Sequence, residues 1–331
     1  MGSEKRRIML TFQEALAIIN REIKNIDYPK QPSNLYEPIA YILDLKGKKI
    51  RPILTLLACN LYKENTSEAI NMALAWEIFH NFTLMHDDVM DKADMRRGQA
   101  TVHKKWNENT AILSGDAMLI LSYIYVAKSN EKYLKELMNL FSKTAAEICE
   151  GQEYDMQFEN RLDVTEDEYL NMICLKTAVM LGASLMSGAI IGGSNEKDQK
   201  FLFDFGINLG LAFQIQDDLL DAYGDSSVFG KKIGGDILCN KKTYLLVSAL
   251  SVSDKEEKEK LLWWLKSTDN GDEKIKAIID LYDRMHIKEK SRDKIEYYYQ
   301  KAIQALNSVD VEEHKKDVLV SFAKELMVRE S

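Results

Sequence analysis

All four prolines of this 331-residue chain, Pro29, Pro32, Pro38 and Pro52, fall within its first 52 residues, and none follows. Proline fixes φ, lacks an amide hydrogen and costs about 3 kcal/mol inside a helix. Turn-rich sandwiches and barrels use it freely, so a proline-free run of this length selects a mostly helical fold. Glycine, at 16 residues, is also scarce, as few tight turns would require.

Apolar periodicity agrees. Ile8, Phe12, Ala15, Ile19 and Ile23 mark an amphipathic helix over 4–26. Further helices are predicted near 36–45, 50–63, 67–91, 109–128, 131–160 and 166–192. Others follow near 197–223, 241–251, 254–267, 272–285, 289–307 and 311–329. Thr66, Thr165 and Ser253 are candidate N-caps. No period-two alternation competes, and no 20–50-residue repeat is present. Residues 224–240, rich in glycine and lysine, read as the clearest long loop. Residues Thr177 to Asn195 carry no charge, but their glycines and serines fit a buried helix that neighbours approach closely better than a membrane span. The length allows one large domain or two. The reading is one all-α domain over 1–331, an antiparallel helical bundle.

Two segments carry chemistry: His86-Asp87-Asp88-Val89-Met90-Asp91 and Gln216-Asp217-Asp218-Leu219-Leu220-Asp221. Each spells Asp-Asp-x-x-Asp. With 25 aspartates in the chain, one such pattern arises in about 14% of shuffled sequences and two in roughly 1%. On a helix, Asp87 and Asp91 share a face, as do Asp217 and Asp221. Both motifs end apolar helices, where the helix dipole disfavours negative charge, so a cation should compensate. Carboxylates at this spacing suit Mg²⁺, which takes one or two of them with waters and phosphate oxygens.

Cations that would hold those phosphates are present. Gly47-Lys48-Lys49-Ile50-Arg51-Pro52 places three at a helix start, where amides also favour anions. Arg96-Arg97-Gly98 follows the first acidic motif, Lys176-Thr177 opens the uncharged helix, and Lys231-Lys232 and Lys241-Lys242 bracket the loop after the second. His80 lies on the stripe of Asp87, and Gln214 on that of Asp217. The net charge of −8 argues against a nucleic-acid partner. Four scattered cysteines without Cys-x-x-Cys fit buried thiols in a reducing compartment. The basic N-terminus is interrupted by Gln13 and Glu14, which makes a poor signal peptide. A cytoplasmic protein with no stable membrane insertion is expected.

The motifs GKKIRP, HNFTLMHDDVMDKADMRRG, SGDAML, EGQEYD, LKTA, FQIQDDLLD and GKKIGGDILCNKKTYL appear in an order that resembles the trans-isoprenyl diphosphate synthases, the polyprenyl synthetase family. The likeness runs from about residue 40 to the C-terminus. It implies the isoprenoid synthase fold, antiparallel helices around a central cavity, in a homodimer. It also implies roles. Lys48, Arg51, His80 and Arg97 would bind isopentenyl diphosphate. Arg96, Lys176, Lys231 and Lys241 would bind the allylic diphosphate. Asp87, Asp91 and Asp217 would be the main Mg²⁺ ligands, supported by Asp88, Asp218 and Asp221, with three ions present when substrate is bound. Lys176, Thr177, Gln214 and Lys231 would lie at the reacting centre, and Phe79, Phe82 and Thr83 would limit chain length. Asn240 stands where the bacterial pattern has glycine, and Arg329 is the one basic group offered by the chain end.

The implied reaction joins isopentenyl diphosphate to a dimethylallyl, geranyl or farnesyl diphosphate, giving a trans product of 15 to 20 carbons, geranylgeranyl diphosphate before farnesyl diphosphate. Two alternatives share parts of the pattern. A terpene cyclase would need neither the second acidic motif nor the GKKIRP pocket. A non-catalytic subunit of a heteromeric synthase should have lost aspartates, and all six are kept.

Overall fold

Helix starts in this chain are set by side chains that satisfy amides left free in the first turn. Thr11 and Glu14 form a capping box, as do Thr165 with Glu168 and Asp254 with Glu257, each of the kind worth about 1 kcal/mol. The computed structural model describes residues 9–224, 234–267 and 271–327. Among these, the helices are α1 (Phe12–Lys24), α2 (Ser33–Asp44), α3 (Ile50–Tyr62), α4 (Ile70–Met90), α5 (Val102–Lys105), α6 (Glu108–Ala127), α7 (Glu131–Glu159) and α8 (Glu166–Ile173). There follow α9 (Val179–Gly192), α10 (Glu196–Tyr223), α11 (Gly235–Leu238), α12 (Tyr244–Val252), α13 (Lys255–Lys266), α14 (Gly271–Arg284), α15 (Ile287–Asn307) and α16 (Glu313–Met327). A π-helical segment, Cys174–Ala178, joins α8 to α9. Strands β1 (Met95–Arg96) and β2 (Gln99–Ala100) pair antiparallel.

The chain divides into two compact units. One comprises residues 1–142, 183–203 and 309–318; the other comprises 143–182, 204–308 and 319–331. No linker-like composition marks these boundaries in the sequence.

In the first unit α3 is buried on every side from Pro52 to Leu61, the mark of an interior helix. The charge-free run supplies its close neighbour. A Cβ on Gly188 would lie 2.1 Å from the Thr55 carbonyl oxygen, and one on Gly192 would lie 2.9 Å from that of Cys59. Thr55 Oγ1 donates to the Ser184 carbonyl at 3.0 Å, and Trp76 Nε1 donates to Ser187 Oγ at 3.0 Å. The serines therefore satisfy polar groups that tight packing would otherwise strand. Trp76, Phe79 and Tyr123 pack around Phe141 with ring centroids 4.7–5.3 Å apart.

The second unit is held by a core of Tyr169, Ile173, Leu211, Ile215, Tyr244 and Val247, and by another around Leu245, Leu261, Ile278 and Leu281. Gly206 and Gly210 of α10 lie against Gly182 and Ala178 with no room for a Cβ. Glu166 accepts hydrogen bonds from Ser248, Ser251, Tyr244 and Lys290, tying α8 to α12 and α15.

The structure corrects several sequence expectations. The first helix begins at Phe12 because Thr11 caps it. Helix α2 begins at Ser33 and carries Pro38 inside. Asp254, not Ser253, caps α13, and Thr66 precedes a short 3-10 turn without a side-chain cap bond. The β-hairpin escaped notice because two-residue strands are too short to alternate. Cys59 is buried, but Cys149 and Cys239 are exposed. Two helical stretches, Glu108–Ala127 and Glu166–Gly192, are long and apolar enough to cross a membrane by length and composition. The second is 72% buried over its most apolar stretch, the first only 39%.

Candidate active site

In the first unit the end of α4 and the hairpin after it meet through charge. Both oxygens of Asp88 accept from Arg96 Nε at 2.8 Å, and Arg96 Nη2 lies 2.6 Å from Oδ1. Asp88 is buried, so this bidentate pair supplies the cation that the helix end requires. The turn that aims the next arginine is left-handed at both central residues, Arg97 at φ 51° and Gly98 at φ 77°, as a two-residue hairpin loop demands. The Arg97 guanidinium rests on Gly47, where a Cβ would come within 2.9 Å of Cζ.

His80, one turn after Glu77, lies among the cations this arrangement gathers. Burial, then Arg51, Arg97, Arg96 and Lys49, hold its pKa well below the ordinary 6.5. Burial lowers Arg51 to about 10, with Arg97 adding to the fall and Glu77 opposing it. Arg51 Nε is buried without a protein partner. Lys48 is exposed, whereas Lys49 is buried and pairs with Glu77 at 2.9 Å. Of the three cations read at this helix start, Lys49 is thus committed to the fold. Phe82 lies between Phe79 and His86, with ring centroids at 5.4 and 4.8 Å. Thr83 Oγ1 donates to the His80 carbonyl at 2.8 Å. The SGDAML glycine, Gly115, makes room for His86, whose Nε2 would lie 2.1 Å from a Cβ there.

In the second unit Asp217 is exposed, but Asp218 turns inward. Its Oδ2 accepts from the Tyr169 hydroxyl and from the Tyr244 amide at 2.8 Å. Burial pushes its pKa up to about 7, against the lowering influence of Lys241 and of those two donors. Gln214 Nε2 approaches Asp218 Oδ1 at 3.4 Å, and Thr177 Oγ1 donates to Gln214 Oε1 at 3.4 Å. Asp221 accepts the Asp236 amide at 2.9 Å. Lys176 Nζ lies 2.5 Å from Asp155 Oδ2, and Lys241 Nζ lies 3.5 Å from Asp236 Oδ1. Although burial opposes it, the carboxylates of Asp236, Asp218, Asp155 and Asp217 raise Lys241 above the usual lysine range. Asn240, at φ 55°, takes the left-handed conformation that asparagine tolerates. Its side chain donates to the Leu265 carbonyl at 2.9 Å and accepts from Lys274 at 2.6 Å. Lys231, with its neighbour Lys232, and Arg329 lie outside the described residues.

Known proteins with these features agree on a family. The polyprenyl synthetase profile matches residues 32–282. The chain belongs to the polyprenyl synthetase family. A short chain isoprenyl diphosphate synthase of Methanocaldococcus jannaschii is 40% identical over 275 residues, 83% of each chain. A geranylgeranyl diphosphate synthase of Sulfolobus acidocaldarius is 36% identical over 306 residues, covering 90% of this chain and 91% of the relative. A crystal structure of a geranylgeranyl pyrophosphate synthase superposes with TM-score 0.92 at 44% identity, covering 97% of this chain and 99% of the other. That of Pyrococcus horikoshii gives 0.91 at 32% identity, covering 96% and 97%. The fold is the all-α isoprenoid synthase fold of this family.

Within this polyprenyl synthetase, one aspartate of each motif, Asp88 or Asp218, is buried. Asp88 and Asp218, read from the sequence as supporting metal ligands, accept hydrogen bonds from Arg96 and from Tyr169 and Tyr244 respectively. Each anchors its helix end in the fold. Four residues that order the site were not singled out in the sequence: Glu77, Asp155, Tyr169 and Asp236. Asp155 and Asp236 carried a signal, as members of EGQEYD and GKKIGGDILCNKKTYL.

His80 yields a pH prediction. A histidine whose folded pKa lies below its unfolded value contributes stability above about pH 6.5 and loses it as pH falls toward the folded pKa. Unfolding free energy of the wild type should therefore decline below about pH 6.5, by at most about 1.4 kcal/mol per pH unit from this residue. His80→Gln should flatten that decline in urea titrations at pH 5 to 7; parallel curves would show that His80 is not the group responsible.

Proposed function

We propose that this chain is a trans-prenyltransferase that condenses isopentenyl diphosphate with an allylic diphosphate to make geranylgeranyl diphosphate. The observation that carries the reading is the pairing, in each unit, of an Asp-Asp-x-x-Asp helix end with cations held by protein carboxylates. Relatives named geranylgeranyl diphosphate synthase, 36% identical over 90% or more of this chain, support the product.

The chain's own residues account for the chemistry around the ionisable groups. Arg96 in the first unit, and Lys176 and Lys241 in the second, are the cations assigned to the allylic diphosphate, each oriented by a carboxylate, Asp88, Asp155 or Asp236. Fixed cations of this kind stabilise the charge that develops as diphosphate leaves. Thr177 and Gln214 orient the reacting end, and apolar helices keep water from the allylic cation. Lys48, Arg51, His80 and Arg97 hold isopentenyl diphosphate, whose double bond attacks that cation; the released diphosphate then takes the proton lost from the new carbocation, giving a product five carbons longer. Among the described residues no three His, Cys, Asp or Glu side chains converge to hold an ion by themselves. Mg²⁺ takes one or two carboxylates and completes its shell with water and phosphate oxygens. Asp87 and Asp91 in the first unit, and Asp217 in the second, would be its ligands, and bound Mg²⁺ would supply charge neutralisation for a leaving diphosphate.

The test is product formation by the purified chain. Turnover should require both diphosphates, vanish with EDTA and return with Mg²⁺. Asp87→Ala and Asp217→Ala should each lose about 100-fold or more in kcat. Allylic diphosphate consumed equally well without isopentenyl diphosphate would indicate a cyclase, and no turnover at all a non-catalytic subunit.

Product length is proposed to depend on Phe82, backed by Phe79 and followed by the smaller Thr83. Inserting methylenes against a packed wall costs about 1–3 kcal/mol, so Phe82→Ala should shift dephosphorylated products to longer chains on chromatography. An unchanged distribution at normal activity would assign the floor elsewhere.

A homodimer is proposed through α6. Leu113, Ile120 and Ile124 recur seven and four residues apart on one face and are 60%, 63% and 46% exposed. Ile120→Glu should convert a sedimenting dimer to a monomer. A mass unaffected by the substitution, or vesicle binding by a monomeric wild type, would count against a second copy as the occupant.

A further inference from the structure

Glu77 is a carboxylate buried inside a pocket of cations, and the proposed reaction gives it nothing to do. It is 1% exposed and sits on α4, three residues before His80 and four before Asn81. Its Oε1 lies 2.9 Å from Lys49 Nζ and accepts from Asn81 Nδ2 at 2.7 Å. Lys49 Nζ also donates to the Leu43 carbonyl at 3.0 Å. Asn81, fully buried, donates to the Glu77 carbonyl as well, at 2.8 Å, while its own Oδ1 has no partner.

The backbone explains why this matters. Lys49 has φ 48° and ψ 38° and is the N-terminal flank of α3. An L-residue other than glycine holds this conformation only where its surroundings over-determine it. Here the determinant is the lysine's own side chain, threaded inward to Glu77 and Leu43. That turn stands between Lys48 and Arg51, and so decides where both can point. Glu77 also lies close enough to Arg51 and Arg97 to favour their charged forms.

We propose that Glu77 is a positioning residue for isopentenyl diphosphate, which acts by locking Lys49 as a strut so that the left-handed turn presents Lys48 and Arg51 to the anion. Lys49, although it lies within GKKIRP, is then a part of the scaffold and not a phosphate ligand. The inference rests on the reading of Lys48, Arg51, His80 and Arg97 as the isopentenyl diphosphate pocket.

Steady-state kinetics on the full-length protein, varying each diphosphate with the other saturating, tests it. Glu77→Gln keeps the shape and the bond from Asn81 but removes the charge; Lys49→Met removes the ammonium and keeps the stem. Each should raise KM for isopentenyl diphosphate roughly tenfold or more, the order of one misdirected charge-assisted contact. KM for the allylic diphosphate should stay within about twofold, because that pocket is untouched. The double variant should be no worse than the poorer single one, since both remove the same strut. Glu77→Asp, which restores the charge, should recover part of the affinity.

Should Glu77→Gln fail to fold with Lys49 left unpaired, the double variant buries no lone charge and carries the test, with the same isopentenyl-specific rise expected. Equal changes in both Michaelis constants, unchanged constants in a variant that merely melts earlier, or effects that multiply in the double variant would each overturn the inference. A wild-type chain that binds no isopentenyl diphosphate would instead remove the functional reading beneath it. Normal wild-type turnover with an indifferent Glu77→Gln removes this inference alone.

Discussion

Cations that await an anion must be kept together before it arrives, and this requirement shapes both units. Arg51, Arg97, Arg96 and Lys49 gather around His80 and, with burial, hold its pKa low. Left to themselves they would repel one another and lose part of their hydration, a combination that costs several kcal/mol per buried ion. The fold answers with carboxylates placed behind the cations: Asp88 for Arg96, Glu77 for Lys49, Asp155 for Lys176 and Asp236 for Lys241. In the proposed reaction the pairs at Arg96, Lys176 and Lys241 would hold charge in position beforehand, which is where electrostatic catalysis gains over water, whose dipoles must reorient; the pair at Lys49 braces a turn.

Much of the site's inventory was legible because helical periodicity and charge are local properties. The two Asp-Asp-x-x-Asp motifs, the cations that follow them and the apolar helices that carry them can all be read within a dozen residues. The dipole argument even required a cation near Asp87–Asp91, and Arg96 fills that need. What the motif could not say is which aspartates face inward. Asp87 and Asp88 differ by about 100° around the helix, but only the partner element decides which side is buried. For Asp218 those partners are Tyr169 and Tyr244, 49 and 26 residues distant in sequence.

The same limit applies to glycine. Gly47, Gly115 and Gly151 all belong to motifs that carry the family resemblance, yet each acts by having no side chain. Gly47 leaves space for the Arg97 guanidinium and Gly115 for the His86 ring. Left-handed residues were equally silent. Lys49, Arg97 and Asn240 each adopt φ near 50° at a point where the chain must turn a cation, and nothing in a lysine or arginine announces that conformation. The stabilising cause lies in a tertiary contact: Glu77 under Lys49, and Lys274 against Asn240.

Lys176 brings these effects together. A lysine in an otherwise uncharged helix is costly unless it has an anionic partner, and Asp155 of α7 provides one. For the carboxylate to reach it, α7 must come very near, and Gly151 permits this: a Cβ there would lie 2.3 Å from the Lys176 amide nitrogen. At this point the helix widens to π geometry over Cys174–Ala178. A π segment adds a residue to the turn and so re-aims the side chains within it, which gives Lys176 and Thr177 a direction that a regular α-helix would deny them. The glycine, the carboxylate one turn later and the π segment therefore form one device: a close backbone contact that delivers a counter-charge where the helix has loosened to present a cation.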